Sequence, residues 1–140
     1  MPDPSSLEQF EPLAPGAAIG AVPKEIDRSE VLELDGAALR QLILECPLPL
    51  LVEFFSPDCG PCKTMAPVLG KLAAEYGEKM KVVKASLYDT EVLAVAVQYK
   101  VQGIPTVVML RGGQELHRVR GFTHEVRFRQ ELQPGLVQLL

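Results

Sequence analysis

The 140-residue chain has no tryptophan, three cysteines and an aromatic content of only 6%. It also lacks an apolar stretch of membrane-spanning length. Leu13 to Pro23 is uncharged but Ala/Gly/Pro-rich, well short of the about 20 predominantly apolar residues a transmembrane helix needs. A secretory signal is not expected, because Asp3, Glu8 and Glu11 stand where a basic start would be. Three cysteines are too few for a disulfide scaffold, and the odd number leaves one over. No internal repeat is visible. The net charge of −4 belongs to residues 1–30, where six acids face Lys24 and Arg28, while residues 31–140 carry twelve acids and twelve bases. The folded part therefore has no net field to draw it to nucleic acid or to a membrane surface, and neither is expected as a partner.

What is present fits one ordinary globular domain: 47% hydrophobic and 23% charged residues in a chain close to the usual domain size of about 150 residues. Residues 1–28 hold five of the twelve prolines and six of the chain's charged side chains before Arg28. They read as an extended or disordered acidic tail with too little apolar surface to offset the entropy of ordering. Residues 29–140 form the expected domain. Leu7, Phe10, Leu13 and Ile19 give the tail its alternative, a strap onto the domain or a partner.

From Val31 the pattern alternates. Val31 to Leu34 reads as a short strand. Asp35 then caps a helix to about Glu45, with Leu39, Leu42, Ile43 and Cys46 on one face. Leu50 to Phe55 is a near-continuous apolar run, as in a strand covered on both faces. A helix from about Cys59 to Tyr76 follows, stopped by Gly77, with Cys62, Ala66, Leu69, Leu72, Ala73 and Tyr76 inward and a kink expected at Pro67. Met80 to Ser86 is the next strand and Thr90 to Tyr99 the next helix. Thr106 to Arg111 and Glu115 to Arg120 form a hairpin about Gly112-Gly113. Thr123 caps a final helix using Val126, Phe128 and Leu132 and broken by Pro134-Gly135. The order βαβαβαββα predicts a central mixed sheet of about five strands flanked on both faces by about four helices.

The sharpest chemical feature is Cys59-Gly60-Pro61-Cys62 at a strand-to-helix junction. Cysteines at i and i+3 on a first helical turn share a side and can bridge. Unpaired N–H groups and the positive dipole end at a helix start favour thiolate over thiol. These features predict an exposed nucleophile, Cys59, with a resolving partner, Cys62, one turn inward. Gly60 leaves room for a partner, and Pro61 stiffens the turn without losing a needed N–H. A zinc site would need Cys46, His117 or His124, none at ligand spacing, so no metal or cofactor is expected. A purely structural disulfide would close too small a loop to stabilise much.

Val52 to Pro67, reading VEFFSPDCGPCKTMAP, resembles the active-site segment of thioredoxins. Val101-Gln102-Gly103-Ile104-Pro105-Thr106 is similar to the family's second signature, a loop with a cis-proline beside the redox cysteines, and Phe122 to Leu132 to its closing helix. The resemblance covers roughly residues 30–133. It implies the thioredoxin fold, with Cys59 attacking and Cys62 resolving, Ile104-Pro105 as the cis bond of the substrate-binding loop, and the backbone of Gly103 and Ile104 pairing with an extended substrate segment. It places Glu53 where thioredoxins have a buried aspartate and Lys84 where that residue has its lysine partner. Burial would raise the pKa of Glu53 and suit it to exchanging a proton with Cys62. Two departures stand out: Asp58 replaces a tryptophan, and Tyr88 replaces a common acidic residue. An anion beside Cys59 opposes thiolate formation, which makes the couple more reducing.

The resulting expectation is a cytoplasmic, monomeric reductase of disulfide-containing target proteins, re-reduced by a thioredoxin-reductase-like electron donor. The competing expectation is a thioredoxin-fold binding or assembly module, chaperone-like, with one dedicated partner. Cys46 is expected to be an inert core thiol and Met65 a surface contact near the cysteines. Arg118, Arg120, Arg127 and Arg129, with His117 and His124, read as a solvated basic face.

Overall fold

A computed structural model describes residues 30–139; the expected tail over 1–28 lies outside the described residues. The elements run β1 (Leu32–Glu33), α1 (Gly36–Glu45), β2 (Leu50–Phe55), α2 (Gly60–Tyr76), β3 (Lys81–Ser86), α3 (Thr90–Gln98), β4 (Thr106–Arg111), β5 (Gln114–Arg120) and α4 (Glu125–Leu136), with a closing 3₁₀ turn, Val137–Leu139. The order of elements matches the one expected from the sequence. The strands lie in the order β1-β3-β2-β4-β5, with β1, β3 and β2 parallel and β4 and β5 antiparallel additions.

Side chains alternate across a strand, so the two faces of the sheet build two cores. Leu51, Val82, Val107, Met109 and Val119 pack against α2, through Val68, Leu69, Leu72 and Ala73, and against α4, through Phe128, Leu132 and Leu136. Leu50, Val52, Phe54, Val83, Ala85, Val108 and Leu110 pack against Leu39, Leu42 and Ile43 of α1 and Val92, Val95 and Ala96 of α3. Each such side chain fully buried contributes about 1.5–3 kcal/mol of transfer free energy. The central strand β2 is buried along Leu50–Glu53 and at Phe54, which explains its lack of polar alternation.

The caps follow local chemistry. Asp35 Oδ1 accepts from Ala38 N at 2.8 Å and starts α1. Asp89 Oδ1 accepts from Glu91 N at 2.9 Å and Val92 N at 3.3 Å, starting α3, while its Oδ2 accepts from Gly36 N at 3.1 Å. One carboxylate thus serves the first turns of two helices. Gly36 is required there, because a Cβ on it would lie 2.2 Å from Glu91 Cβ. In the hairpin, Gly112 and Gly113 both have positive φ, 57° and 84°, the conformation a two-residue turn demands.

Four local expectations are corrected. Met65 is fully buried and Ala66 exposed: Met65 falls at the centre of the arc set by Cys62, Val68, Leu69 and Leu72, whereas Ala66 lies just past its edge. His124, not Thr123, caps α4, its Nδ1 accepting from Arg127 N at 3.3 Å. Val126 is 63% exposed, so it sits outside the apolar stripe. Pro134-Gly135 does not break α4, which continues to Leu136. Pro134 is on the exposed side, where water can serve the Gln130 carbonyl left without its usual donor. Gly135 is there for close approach, since a Cβ on it would lie 2.9 Å from His117 Cβ.

Nor are the basic residues of β5 and α4 a uniform solvated face. Arg118 pairs with Glu115 at 2.6 Å and donates to the Tyr99 and Lys100 carbonyls at the end of α3. Arg129 binds Glu75 through two bonds of 3.0 Å and Glu125 at 2.8 Å, tying α4 to α2. Arg127 pairs with Glu131, and His117 Nε2 donates to the Glu131 carbonyl at 2.7 Å. Cys46 is half-buried against the α1/α3 core, as expected of a core thiol.

Candidate active site

The end of β2 delivers the chain through Ser56-Pro57-Asp58 to the start of α2. Cys59 is the residue before the helix, with extended φ and ψ of −91° and 112°. Its sulfur accepts from the Cys62 backbone N–H at 3.2 Å, and its carbonyl accepts from Lys63 N at 3.2 Å. The two cysteines are joined as a disulfide, with Cα atoms 5.2 Å apart. Cys59 is half-buried and so reachable, whereas Cys62 is 5% exposed. A Cβ added to Gly60 would meet none of the described residues within 4 Å, which leaves room beside the pair. Pro61 occupies the first turn of α2, where no N–H is needed.

Behind Cys62 lies a cavity of about 210 Å³ lined by Glu53, Phe55, Ser56, Lys63, Ala66 and Lys84, among others. Glu53 and Lys84 are register partners on β2 and β3, so the parallel ladder alone places both side chains on the α2 side of the sheet. Glu53 is 2% exposed, and its Oε2 has no hydrogen-bond partner among the described residues. Burial pushes its pKa up to about 7, with the Lys84 charge pulling the other way. Lys84 Nζ lies over the Phe55 ring, 5.2 Å from its centroid. The extra methylene of glutamate therefore leaves the carboxyl inside the cavity, not at solvent.

Ile104-Pro105 is a cis peptide bond. Phe54 pairs with Thr106 in the antiparallel ladder, so Pro105 lies at the same end of the sheet as the loop leading to Cys59. Thr106 Oγ1 donates to the Gly103 carbonyl at 2.6 Å, and Gly121 N donates to the Pro105 carbonyl at 2.7 Å, fixing the loop from both sides. Gly103 is exposed and Ile104 half-buried.

Two residues that departed separately from the expected pattern turn out to be partners. Asp58 is exposed; its Oδ1 accepts from Ser56 Oγ at 2.8 Å, and the Tyr88 hydroxyl lies near enough to act on the same carboxyl. The Ser56 bond, with the Tyr88 hydroxyl, holds the Asp58 carboxyl below its usual range, and the carboxylate raises the Tyr88 phenol. Ser56 was not singled out from the sequence. Its place two residues before an aspartate in a turn is a recognisable signal for a side-chain hydrogen bond.

A reachable sulfur bridged to a sheltered one at a helix start, with a protonatable carboxyl in the cavity behind, is the arrangement of a thiol–disulfide oxidoreductase. Residues 30–134 match the family model described as Thioredoxin. The chain is 40% identical over 86 residues to a thioredoxin of Haemophilus influenzae, covering 61% of this chain and 78% of that one. It is 34% identical over 108 residues to thioredoxin 1 of Nostoc sp., covering 77% and 99% respectively. To a chloroplastic M-type thioredoxin of Spinacia oleracea it is 37% identical over 92 residues, 66% of this chain and 50% of that one. The chain belongs to the thioredoxin family, and its activity is thiol–disulfide exchange through Cys59 and Cys62.

Proposed function

We propose that the chain reduces disulfides in target proteins, with Cys59 as the attacking sulfur. The observation that carries this reading is the asymmetry of the pair: Cys59 is reachable, Cys62 is 5% exposed and faces the Glu53 cavity. The Cys59 thiolate attacks one sulfur of a target disulfide, forming a mixed disulfide and releasing the other target sulfur as a thiolate. Cys62 then loses its proton to the Glu53 carboxylate and attacks the Cys59 sulfur. The second target thiolate leaves, two electrons have passed to the target, and Cys59–Cys62 is the disulfide described above. Glu53 exchanges this proton near neutral pH because its burial holds its pKa near that of the medium. Lys84 keeps the ionised carboxylate from becoming prohibitively costly.

Gly103 and Ile104 hold the target as an added strand beside the cysteines, with the cis bond at Pro105 setting their path, a role supported by the exposure of Gly103 and the two hydrogen bonds that fix the loop. A dithiol donor of the thioredoxin-reductase kind restores the reduced pair. The protein acts as a monomer in a reducing compartment, the cytoplasm, where such a donor operates. No helix among the described residues is long and apolar enough to cross a membrane.

The test is reduction of a protein disulfide by dithiothreitol with and without the chain. Acceleration by the parent, its loss in Cys59→Ser, and a trapped mixed disulfide with Cys62→Ser are expected. No acceleration by the parent overturns the reading.

A further inference from the structure

We propose that Asp58 and Tyr88 form a recognition edge beside Cys59 that selects target disulfides flanked by arginine or lysine. This inference rests on the reductase reading above and adds a substrate class to it.

The geometry has three parts. Asp58 directly precedes the attacking residue in the chain and is exposed, so it carries a charge at the surface next to Cys59. Ser56 Oγ, donating at 2.8 Å, fixes the carboxylate in place, with the Tyr88 hydroxyl close by. A fixed charge loses less side-chain entropy on pairing than a freely rotating one. Tyr88, in the turn between β3 and α3, is 65% exposed, so its ring is presented to solvent. An exposed tyrosine ring carrying a carboxylate at its hydroxyl end offers two attractions to one cation, the ring face and the charge. A guanidinium, planar and weakly hydrated, suits both.

Charges around this edge have a clear balance. Lys63, on the first turns of α2, acts on Asp58 and offsets part of its field. Asp89 and Glu91 follow Tyr88 in the chain, and Asp89 stays ionised by capping α3 and α1. Lys84 is turned toward Phe55 and the Glu53 cavity. The Asp89 carboxylate is taken up by the starts of α1 and α3, so the charge this edge presents is that of Asp58. Tyr88 and Asp58 take no part in the electron transfer itself, so the effect lies in which target is captured.

The test uses the full-length chain, reduced beforehand, and two disulfide peptides identical except that arginine or glutamate flanks both cysteines. Single-turnover reduction is followed at low salt, about 20 mM, and at about 500 mM, where exposed charges are screened. The arginine peptide is expected to react at least about fivefold faster at low salt, consistent with an exposed attraction to one peptide and a repulsion from the other. The ratio should fall toward one at high salt and in Asp58→Asn. Comparing peptides on the same variant cancels any change in Cys59 reactivity caused by the substitution. Equal rates for the two peptides, or a ratio unchanged in Asp58→Asn, overturn the proposal while leaving the reductase reading intact. Failure to reduce either peptide removes the reductase reading and this inference with it.

Discussion

The carboxyl of Glu53 gives the most direct quantitative test of the site. In an unfolded chain it titrates near 4.5, and in the folded protein burial raises it to about 7. Below pH 4.5 both states hold the proton, and the folded state pays nothing for the group. Between 4.5 and 7 the unfolded chain ionises first, so the folded state binds more protons and stability falls as pH rises. Above 7 both states are ionised and the loss is complete. At about 1.4 kcal/mol per pH unit, that loss amounts to about 3 kcal/mol. Glu53→Gln keeps the size and hydrogen-bonding capacity of the neutral acid but cannot ionise. In urea unfolding of the oxidised protein, parent and variant should be equally stable near pH 4 within about 1 kcal/mol. Near pH 8.5 the variant should be more stable by about 2–3 kcal/mol. Every other titrating group is common to both proteins and cancels in the difference. The same substitution should slow resolution of the mixed disulfide by Cys62 and flatten its pH dependence near 7. A stability difference identical at the two pH values would refute the reasoning, because the carboxyl would then ionise without penalty.

Two further outcomes follow from packing. Gly36→Ala gains at most about 1 kcal/mol of helix propensity but drives a methyl to 2.2 Å from Glu91 Cβ and 3.0 Å from its backbone carbon. Overpacking costs of about 1–3 kcal/mol then dominate, and thermal denaturation should show a lower midpoint. Arg118→Ala frees two carbonyls at the end of α3 and leaves Glu115 unpaired. A loss of about 1–3 kcal/mol in chemical unfolding is expected, with only partial rescue by lysine, which lacks the forked geometry.

Much of this was legible in the residues. The apolar run of β2, the Gly-Gly turn and the capping aspartate at 35 each have a local cause, and each element formed where that cause placed it. Cys59 and Cys62 were legible for the same reason: their spacing on a first helical turn brings them together whatever the rest of the chain does. Several failures came where a remote element decided, and others, at Met65 and Thr123, turned on one position within a helix. Pro134-Gly135 carries a breaker signal, but Gly135 answers to His117 on β5, far from it along the chain. Thr123 is a good capping residue, and His124 captured the role because its ring nitrogen reached the Arg127 N–H. The arginines looked like a basic surface because their glutamate partners, Glu75 among them, lie far off in sequence. Asp58 and Tyr88 are thirty positions apart, and only the fold reveals that two departures are one interaction.

The carboxylate of Asp89 has a consequence for how such a protein can diversify. It ties the segment after β3 to the starts of two helices on the opposite face from the cysteines, so the stretch from Ser86 to Asp89 has no slack. Adding or removing a residue there would unseat both helices at once. Novelty in what the molecule captures must therefore arise by swapping side chains on a path of fixed length, which confines evolutionary exploration at this rim to chemistry and not to shape.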